Sequence, residues 1–501
     1  MPAASVPSVP DLRAQFETIL ESLQSAEAQT MTADRMERRL WGQLLALGRS
    51  LLALFLATRA AATAGRVYVS PDGEVRPYHS QRTRPYLSIF GRIVFARPYY
   101  YQRGGGVAPV DALLSLPVHA CSDLVRETAE DVGVEGPYHK GLGVLRRLLG
   151  LRLSTRLLQE QVVEDAPVVE AFYAQQQPAL SSEEATILVL QADGKGVPIL
   201  RPSTGAVPVR LGKGQKRGGK KEATVTAVYT IAPAVRTPQT VVASLFTQET
   251  EAAAGPEERT GPQHKRLWAT LAGKDAALSE VVAQVARRDR TPITQRVALT
   301  DGSPALQERV QRQFPAFTLV LDLIHATEYL WKAANALLGE THPQRTAWVK
   351  ARTLLLLQSQ ALHVVDELRD LAQEPGRTKL QRKVLTGVAV YLARNAPFMQ
   401  YATYLALGWP IATGVIEGAC RHLVKDRCEL SGMRWTMDGA EALLHLRCAH
   451  ENGDWDAFHA FRRRQRHQHL YAVPYPDDLS ASPLDLRVLD PHPDDHTLLA
   501  A

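Results

Sequence analysis

Three apolar runs that each meet an acid constrain this chain more than any other feature. "ATILVLQADG" reaches Asp193, "QRVALTDG" reaches Asp301, and "FTLVLDLIH" reaches Asp322 and His325. Runs this uniformly apolar have no polar face to turn to water, so they read as strands covered on both sides. "VPILR", "EATVTAVYTI" and "QTVVASLF" read as further short strands. "KRLWATLAGKDAALSEVVAQVARRD" and "SPALQERVQRQF" read as helices. Several strands, then helix, strand, helix and strand, specify an α/β block with a mixed sheet.

Residues 327–407 are helical by pattern, and a strand-like or catalytic texture resumes only at "GWPIATGVIEGAC". The block therefore reads as one domain, 180–326 with 408–455, interrupted by an all-helical insertion at 327–407. Upstream, 1–65 reads as a helical region and 66–108 as a small β-rich module with a Pro-Asp-Gly turn. Residues 109–178 form a helix-turn-helix-like region, in which Gly150 breaks one helix and Ser154 caps the next. That second helix carries Thr155, Arg156, Gln159 and Gln161, a spacing that ordinary helical bundles also show. Residues 456–501 read as a basic then acidic tail, partly disordered. A chain of 501 residues fits this multidomain division, about two to four domains on length alone.

"LLALGRSLLALFLATRAA" is cut by Arg49 and Arg59 and predicts an amphipathic or buried helix rather than a membrane span, and no signal peptide opens the chain. The four cysteines include no Cys-x-x-Cys pair, which predicts reduced thiols in a cytosolic protein and no zinc site. A formal charge of +6 favours a polyanionic partner without proving one.

Asp193, Asp301 and Glu417 are the acids best placed for chemistry. Strand ends brought side by side would bring Asp193 and Asp301 together, and a packed helix would add Glu417. Carboxylates so crowded favour divalent metal, and hard oxygen ligands suit magnesium or manganese. Two such ions can clamp an in-line phosphoryl displacement. Taken singly, each acid has a plainer role: Asp-Gly makes a turn, and Glu417 suits a first helical turn. Ser303 and Pro304 are suited to start the helix after Asp301, which leaves that carboxylate free.

"RLGKGQKRGGKK" sets Arg210, Lys213, Lys216, Arg217, Lys220 and Lys221 in a Gly-rich loop that could track phosphates or be a solvated linker. Arg421 and Lys425 follow Glu417 at four-residue spacing and could meet a DNA backbone, or Arg421 could pair with Glu417. Asp322 and His325 place an acid and an imidazole at the same sheet edge. Arg434 and Trp435, in "SGMRW", are candidates for DNA contact, with a core role the default for the tryptophan.

Together, "QADGKGVPIL", "RLGKGQKRGGKKEATVTAVYT", "LTDGSPALQ", "DLIHATEYLWKAA" and "GVIEGACRHLVKDRCELSGMRW" resemble bacterial insertion-sequence transposases of the ISKra group, relatives of the Mutator-like superfamily. The likeness spans about residues 85 to 455. It implies a ribonuclease-H-like mixed sheet, an all-helical insertion, and a catalytic and metal-binding triad of Asp193, Asp301 and Glu417, with two Mg2+ or Mn2+ ions. Asp322 and His325 match the acid-or-Cys-x-x-His motif, which implies a place near the scissile phosphate. Relatives often carry a Cys-x-x-Cys zinc ribbon after the aromatic strand, and "RPYYYQRGGG" lacks it.

The resulting expectation is a cytoplasmic, nucleoid-associated DNA transposase that binds terminal repeats and transfers strands, acting as a homodimer or higher oligomer on DNA. Two alternative readings stand beside it: a nuclease on the same fold that cuts without joining, and a non-catalytic DNA-binding regulator using the helix-turn-helix-like region.

Overall fold

Ser8 and Asp11 cap each other to start α1 (Val9–Gln24), and Ser25 and Thr32 cap α2 (Ala26–Gln29) and α3 (Ala33–Ala61). These helices belong to a computed structural model that describes residues 6–176, 183–200, 219–246, 261–430, 432–471, 473–476 and 487–489. By internal contacts the chain falls into two units, 1–168 with 455–501, and 169–454.

In the first unit, Arg49 and Arg59 do not interrupt α3, which is one helix of 29 residues. Contrary to expectation it is long and apolar enough to cross a membrane, a test that core helices of soluble proteins also pass. Its Leu56 and Ala60 are buried in a core with Ile93 and Phe95. Those two residues lie on β3 (Gly91–Gln102), which pairs antiparallel with β2 (Val75–Ser88). The Pro-Asp-Gly turn joins β1 (Val67–Val69) to β2, with Gly73 at φ +86°, and β4 (Gly105–Val107) closes that edge. Then follow α4 (Pro109–Leu113), α5 (Asp123–Glu135), α6 (Tyr138–Leu149) and α7 (Thr155–Gln175). Gly150 ends α6 at φ +70°, and the Ser154 hydroxyl accepts from Leu157 N–H at 3.1 Å, as expected of a cap.

The second unit is built on a sheet of order β7-β6-β5-β8-β9. Its strands are β5 (Ile187–Ile199), β6 (Gly219–Ile231), β7 (Gln263–Thr270), β8 (Gln295–Thr300) and β9 (Thr318–Leu321). β5, β8 and β9 run parallel, while β6 is antiparallel to both β5 and β7. Successive side chains of a strand face opposite sides, so Ile187, Val189, Val297 and Leu299 join one core, and Leu188, Leu190 and Ala298 join another. The second core is shared with α9 (Lys274–Arg288) and α10 (Pro304–Gln313).

Three elements differ from expectation. "VPILR" is no separate strand, because pairing with β6 continues from Ile187 to Ile199 without a break. "QTVVASLF" forms a helix, α8 (Pro238–Phe246), where Pro238 and the Thr237 hydroxyl, accepting from Thr240 N–H at 3.2 Å, outweigh β-branched propensity. "KRLWAT" belongs to β7 rather than to a helix, since it pairs with β6 and α9 starts only after Gly273.

The insertion is helical as expected: α11 (Leu323–Leu338), α12 (Arg345–Leu357), α13 (Ala361–Gln373), α14 (Lys379–Asn395) and α15 (Tyr401–Ala406). The chain returns through α16 (Gly414–Ala419), a π-type turn at Cys420–Lys425, α17 (Asp426–Cys428) and α18 (Met437–Glu451). α9 is pinned by Arg288, whose guanidinium makes two bonds of 2.8 Å to the buried Glu184 carboxylate. Burial raises the Glu184 pKa, but bonds from Arg288 and Thr230 outweigh it and hold the group below the usual range.

Much of the expected tail is folded in the first unit. α19 (Trp455–Tyr471) buries Phe458, His459, Arg462 and His467, and β10 (Arg487–Leu489) pairs with β1. Basic residues of α19 meet acids of α5, with Arg462 3.2 Å from Asp123.

Candidate active site

The register of the parallel strands sets the site. The last β5–β8 pair is Gln191 with Leu299, so Asp193 and Asp301 each stand two residues further on. Thr300 pairs with Leu321, so Asp322 follows in the next row. Parallel neighbours lie about 4.8 Å apart, and positions in register share a face. Asp193 is therefore not at a strand end as expected; β5 continues past it, with Asp193 paired to Val225 of β6. It stands at the end of the β5–β8 ladder instead.

Gln191 docks the Glu417 helix on this face. It is fully buried, its side-chain amide donates to the Tyr229 hydroxyl at 2.9 Å, and its carbonyl accepts from Ile416 N–H at 3.0 Å. Nothing in the sequence reading singled it out. The available signal was one amide inside the run "ILVLQAD".

Asp322 caps α11 rather than ending β9. Its carboxylate is fully buried and accepts from Ile324 N–H, His325 N–H, Thr413 N–H, the Thr413 hydroxyl at 2.8 Å and His325 Nδ1 at 2.6 Å. The bond to Asp322 is the main reason the His325 pKa is raised to about 9, with burial opposing and Glu328 and Asp301 assisting. His325 is thus a cation at neutral pH. The Thr413 hydroxyl also lies 3.5 Å from Glu417 Oε1.

Burial raises the pKa of Asp193; Gly194 N–H, bonded to Oδ1 at 2.6 Å, opposes it, and the Asp301 charge raises it further. Glu417 is also raised, by burial first and then by Asp322. Ligand atoms of Asp322, His325 and Glu417 all lie within 4.8 Å of one another. Asp193 and Asp301 stand outside that tight set, although Asp193 feels the charges of both Asp301 and His325. Cys420 Sγ lies 3.6 Å from Asp193 Oδ2, and burial beside that acid raises the thiol pKa. Asp301 Oδ1 accepts from Ser303 N–H at 2.9 Å, so Asp301 does make a turn bond, and Ser303 starts α10 without a side-chain cap.

The expected basic surface divides. Arg210, Lys213, Lys216 and Arg217 lie outside the described residues. Lys220 and Lys221 are exposed at the start of β6, with Lys220 paired to Glu429. The π-type turn widens the backbone, so Glu417, Arg421 and Lys425 do not keep α-helical spacing. Arg421 is 3.4 Å from Asp426, not paired with Glu417 as one reading had it. Lys425 and Arg434 are exposed. Trp435 is committed internally: its indole N–H donates to Cys428 O at 3.2 Å, and Arg427 stacks 4.8 Å from its ring. On α7, Thr155, Arg156 and Gln159 are exposed, whereas Gln161 is buried and cannot read a ligand.

No family model matches the chain, and no curated protein does. A solved structure, "Drosophila P element transposase strand transfer complex", matches 71% of this chain and 82% of that one, at 10% identity and a TM-score of 0.24, below the level at which two chains share a fold.

Proposed function

We propose that this protein is a DNA transposase of an insertion sequence, of the ISKra group, which cuts element-end DNA and joins the freed 3'-hydroxyl to a target. One observation carries the proposal: Asp193 and Asp301 each stand two residues past the last pair of the parallel β5–β8 ladder, and Gln191 of β5 bonds the Glu417 helix. The sheet order, with β6 antiparallel between β7 and β5 and then β5, β8 and β9 parallel, supports a ribonuclease-H-like domain interrupted by its helical insertion.

Asp193, Asp301 and Glu417 would hold Mg2+ or Mn2+, two ions in the full assembly. Their hard oxygen donors fit such a cation, and burial, the first cause of the raised pKa values of Asp193 and Glu417, removes solvation that a bound cation would replace. A divalent cation bound there supplies Lewis acidity and charge neutralisation at a phosphate. Asp322, saturated by donors, holds His325 and favours its protonated form, and the imidazolium would meet a phosphate oxygen of bound DNA. Lys220, Lys221, Arg421, Lys425 and Arg434 would follow the backbone, while Thr155, Arg156 and Gln159 read the terminal repeats. Joining two element ends calls for at least two copies, in the cytoplasm at the nucleoid.

The test is end cleavage and strand joining with magnesium. Asp301→Asn should abolish both and leave DNA binding intact. Near-normal joining by this variant would sink the assignment, and cleavage without joined products by the wild type would make the protein a nuclease.

A further inference from the structure

The helical insertion reaches the candidate site through two side chains of α14. The Tyr391 hydroxyl donates to the main-chain carbonyl of Asp301 at 2.9 Å, and the Arg394 guanidinium donates to the carbonyl of Gly302 at 2.6 Å. Both bonds fall on the turn that carries an acid of the proposed triad. Gly302 has φ +86°, and a Cβ there would lie 2.8 Å from Tyr391 Oη and 2.9 Å from Leu321 Cδ1. Glycine suits this left-handed position and adds backbone freedom, which the Ser303 N–H bond to Asp301 restrains from within and the two α14 bonds restrain from outside.

Tyr391 is itself held. It is 7% exposed and stacks on Tyr329 of α11 with ring centroids 3.6 Å apart and planes 4° apart. The Lys332 ammonium sits 3.9 Å from the Tyr329 ring on the same helix. Tyr329 lies one helical turn beyond His325, so the stack joins the Asp301 turn to the helix that presents the imidazolium. The Asp301 carboxylate spends Oδ1 on Ser303 N–H, so the direction of Oδ2 follows the orientation of this turn.

We infer that Tyr391 and Arg394 are positioning residues, through which docking of the helical insertion aims the Asp301 carboxylate and sets the affinity of the site for a divalent cation. The inference rests on the proposed function only in taking Asp301 as a cation ligand. Neither residue touches the reacting atoms. The insertion becomes a part of the catalytic centre's frame, and any shift of α14 against β8 is felt at the cation.

The full-length protein can be titrated with Tb3+, a hard-oxygen-seeking ion whose luminescence nearby tyrosines sensitise, with Mg2+ as competitor. Tyr391→Phe keeps the ring stack and loses one bond; Arg394→Met changes an exposed residue and removes the other donor. Each should weaken Tb3+ binding about tenfold, the scale of one net hydrogen bond. Arg394→Lys, which can still donate to Gly302 O, should recover part of the loss. Wild-type affinity in both variants would overturn the positioning role while leaving the cation site standing. Failure of the wild type to bind Tb3+, or undiminished binding by Asp301→Asn, would overturn the cation reading and the positioning role with it.

Discussion

The Thr413 hydroxyl donates to the Asp322 carboxylate at 2.8 Å, across 91 residues of chain. This bond ties the last residue before the Glu417 helix to the cap of the His325 helix, so two limbs of the site share one buried anchor.

Thr413→Val removes that donor and leaves a buried carboxylate short of one bond. The expected cost is about 1–3 kcal/mol, with Thr413→Ser close to wild type. Thermal unfolding of the three proteins checks this, and equal melting temperatures for the valine and wild-type chains would contradict it.

Asp193 and Glu417 keep their protons to higher pH in the folded chain than their ordinary values of 3.8 and 4.5, burial being the first cause in each. A carboxyl raised by folding stabilises the folded state at low pH, and that contribution is lost as pH rises through the raised value. In chelator, Glu417→Gln should therefore gain stability relative to wild type as pH rises from the acid range towards neutrality. Saturating Mn2+ should reverse the order at neutral pH. A difference that ignores both pH and Mn2+ would count against crowding at this site.

Glu184→Gln leaves Arg288 buried without its charge partner, and about 3–5 kcal/mol should be lost. Because the Glu184 pKa is lowered, the pair's contribution is present above its ordinary value of 4.5 and fades as pH falls through the lowered value. Urea denaturation at neutral and acid pH measures both. A loss under about 1 kcal/mol would show that the pair is not holding α9 in place.

Arg156 is exposed and 2.8 Å from Glu160, a surface pair that solvent screens. Arg156→Ala should leave stability almost unchanged while narrowing the affinity gap between terminal-repeat and unrelated DNA by about 1–3 kcal/mol. Fluorescence anisotropy with both duplexes decides it, and an unchanged gap moves repeat recognition to other residues.

The acids and the histidine stand out in the sequence because each interrupts or terminates an apolar run where no core side chain belongs. The sheet was legible for the same reason, since "ILVL", "RVAL" and "FTLVL" cannot face water. Gln191 and Thr413 were not legible as site residues, because their partners, Ile416 and Asp322, are remote in the chain and polar atoms do not announce what they will bond. α8 was misread because "TVVASLF" is β-prone locally and becomes a helix through its Thr-Pro start and its packing.

Leu323 N–H donates to Ile411 O at 2.9 Å, beside the Thr413–Asp322 bonds, so the long excursion through α11–α15 leaves and rejoins the sheet at neighbouring positions. Closing a chain segment whose two ends already meet costs little more as the segment lengthens. Chain length beyond the junction can therefore vary without stretching β9 or displacing Thr413, provided the helices that cover Ile187, Val189, Val297 and Leu299 are kept. What a replacement would have to reproduce is both the apolar cover these helices lay on the sheet and their two hydrogen bonds to the turn at Asp301.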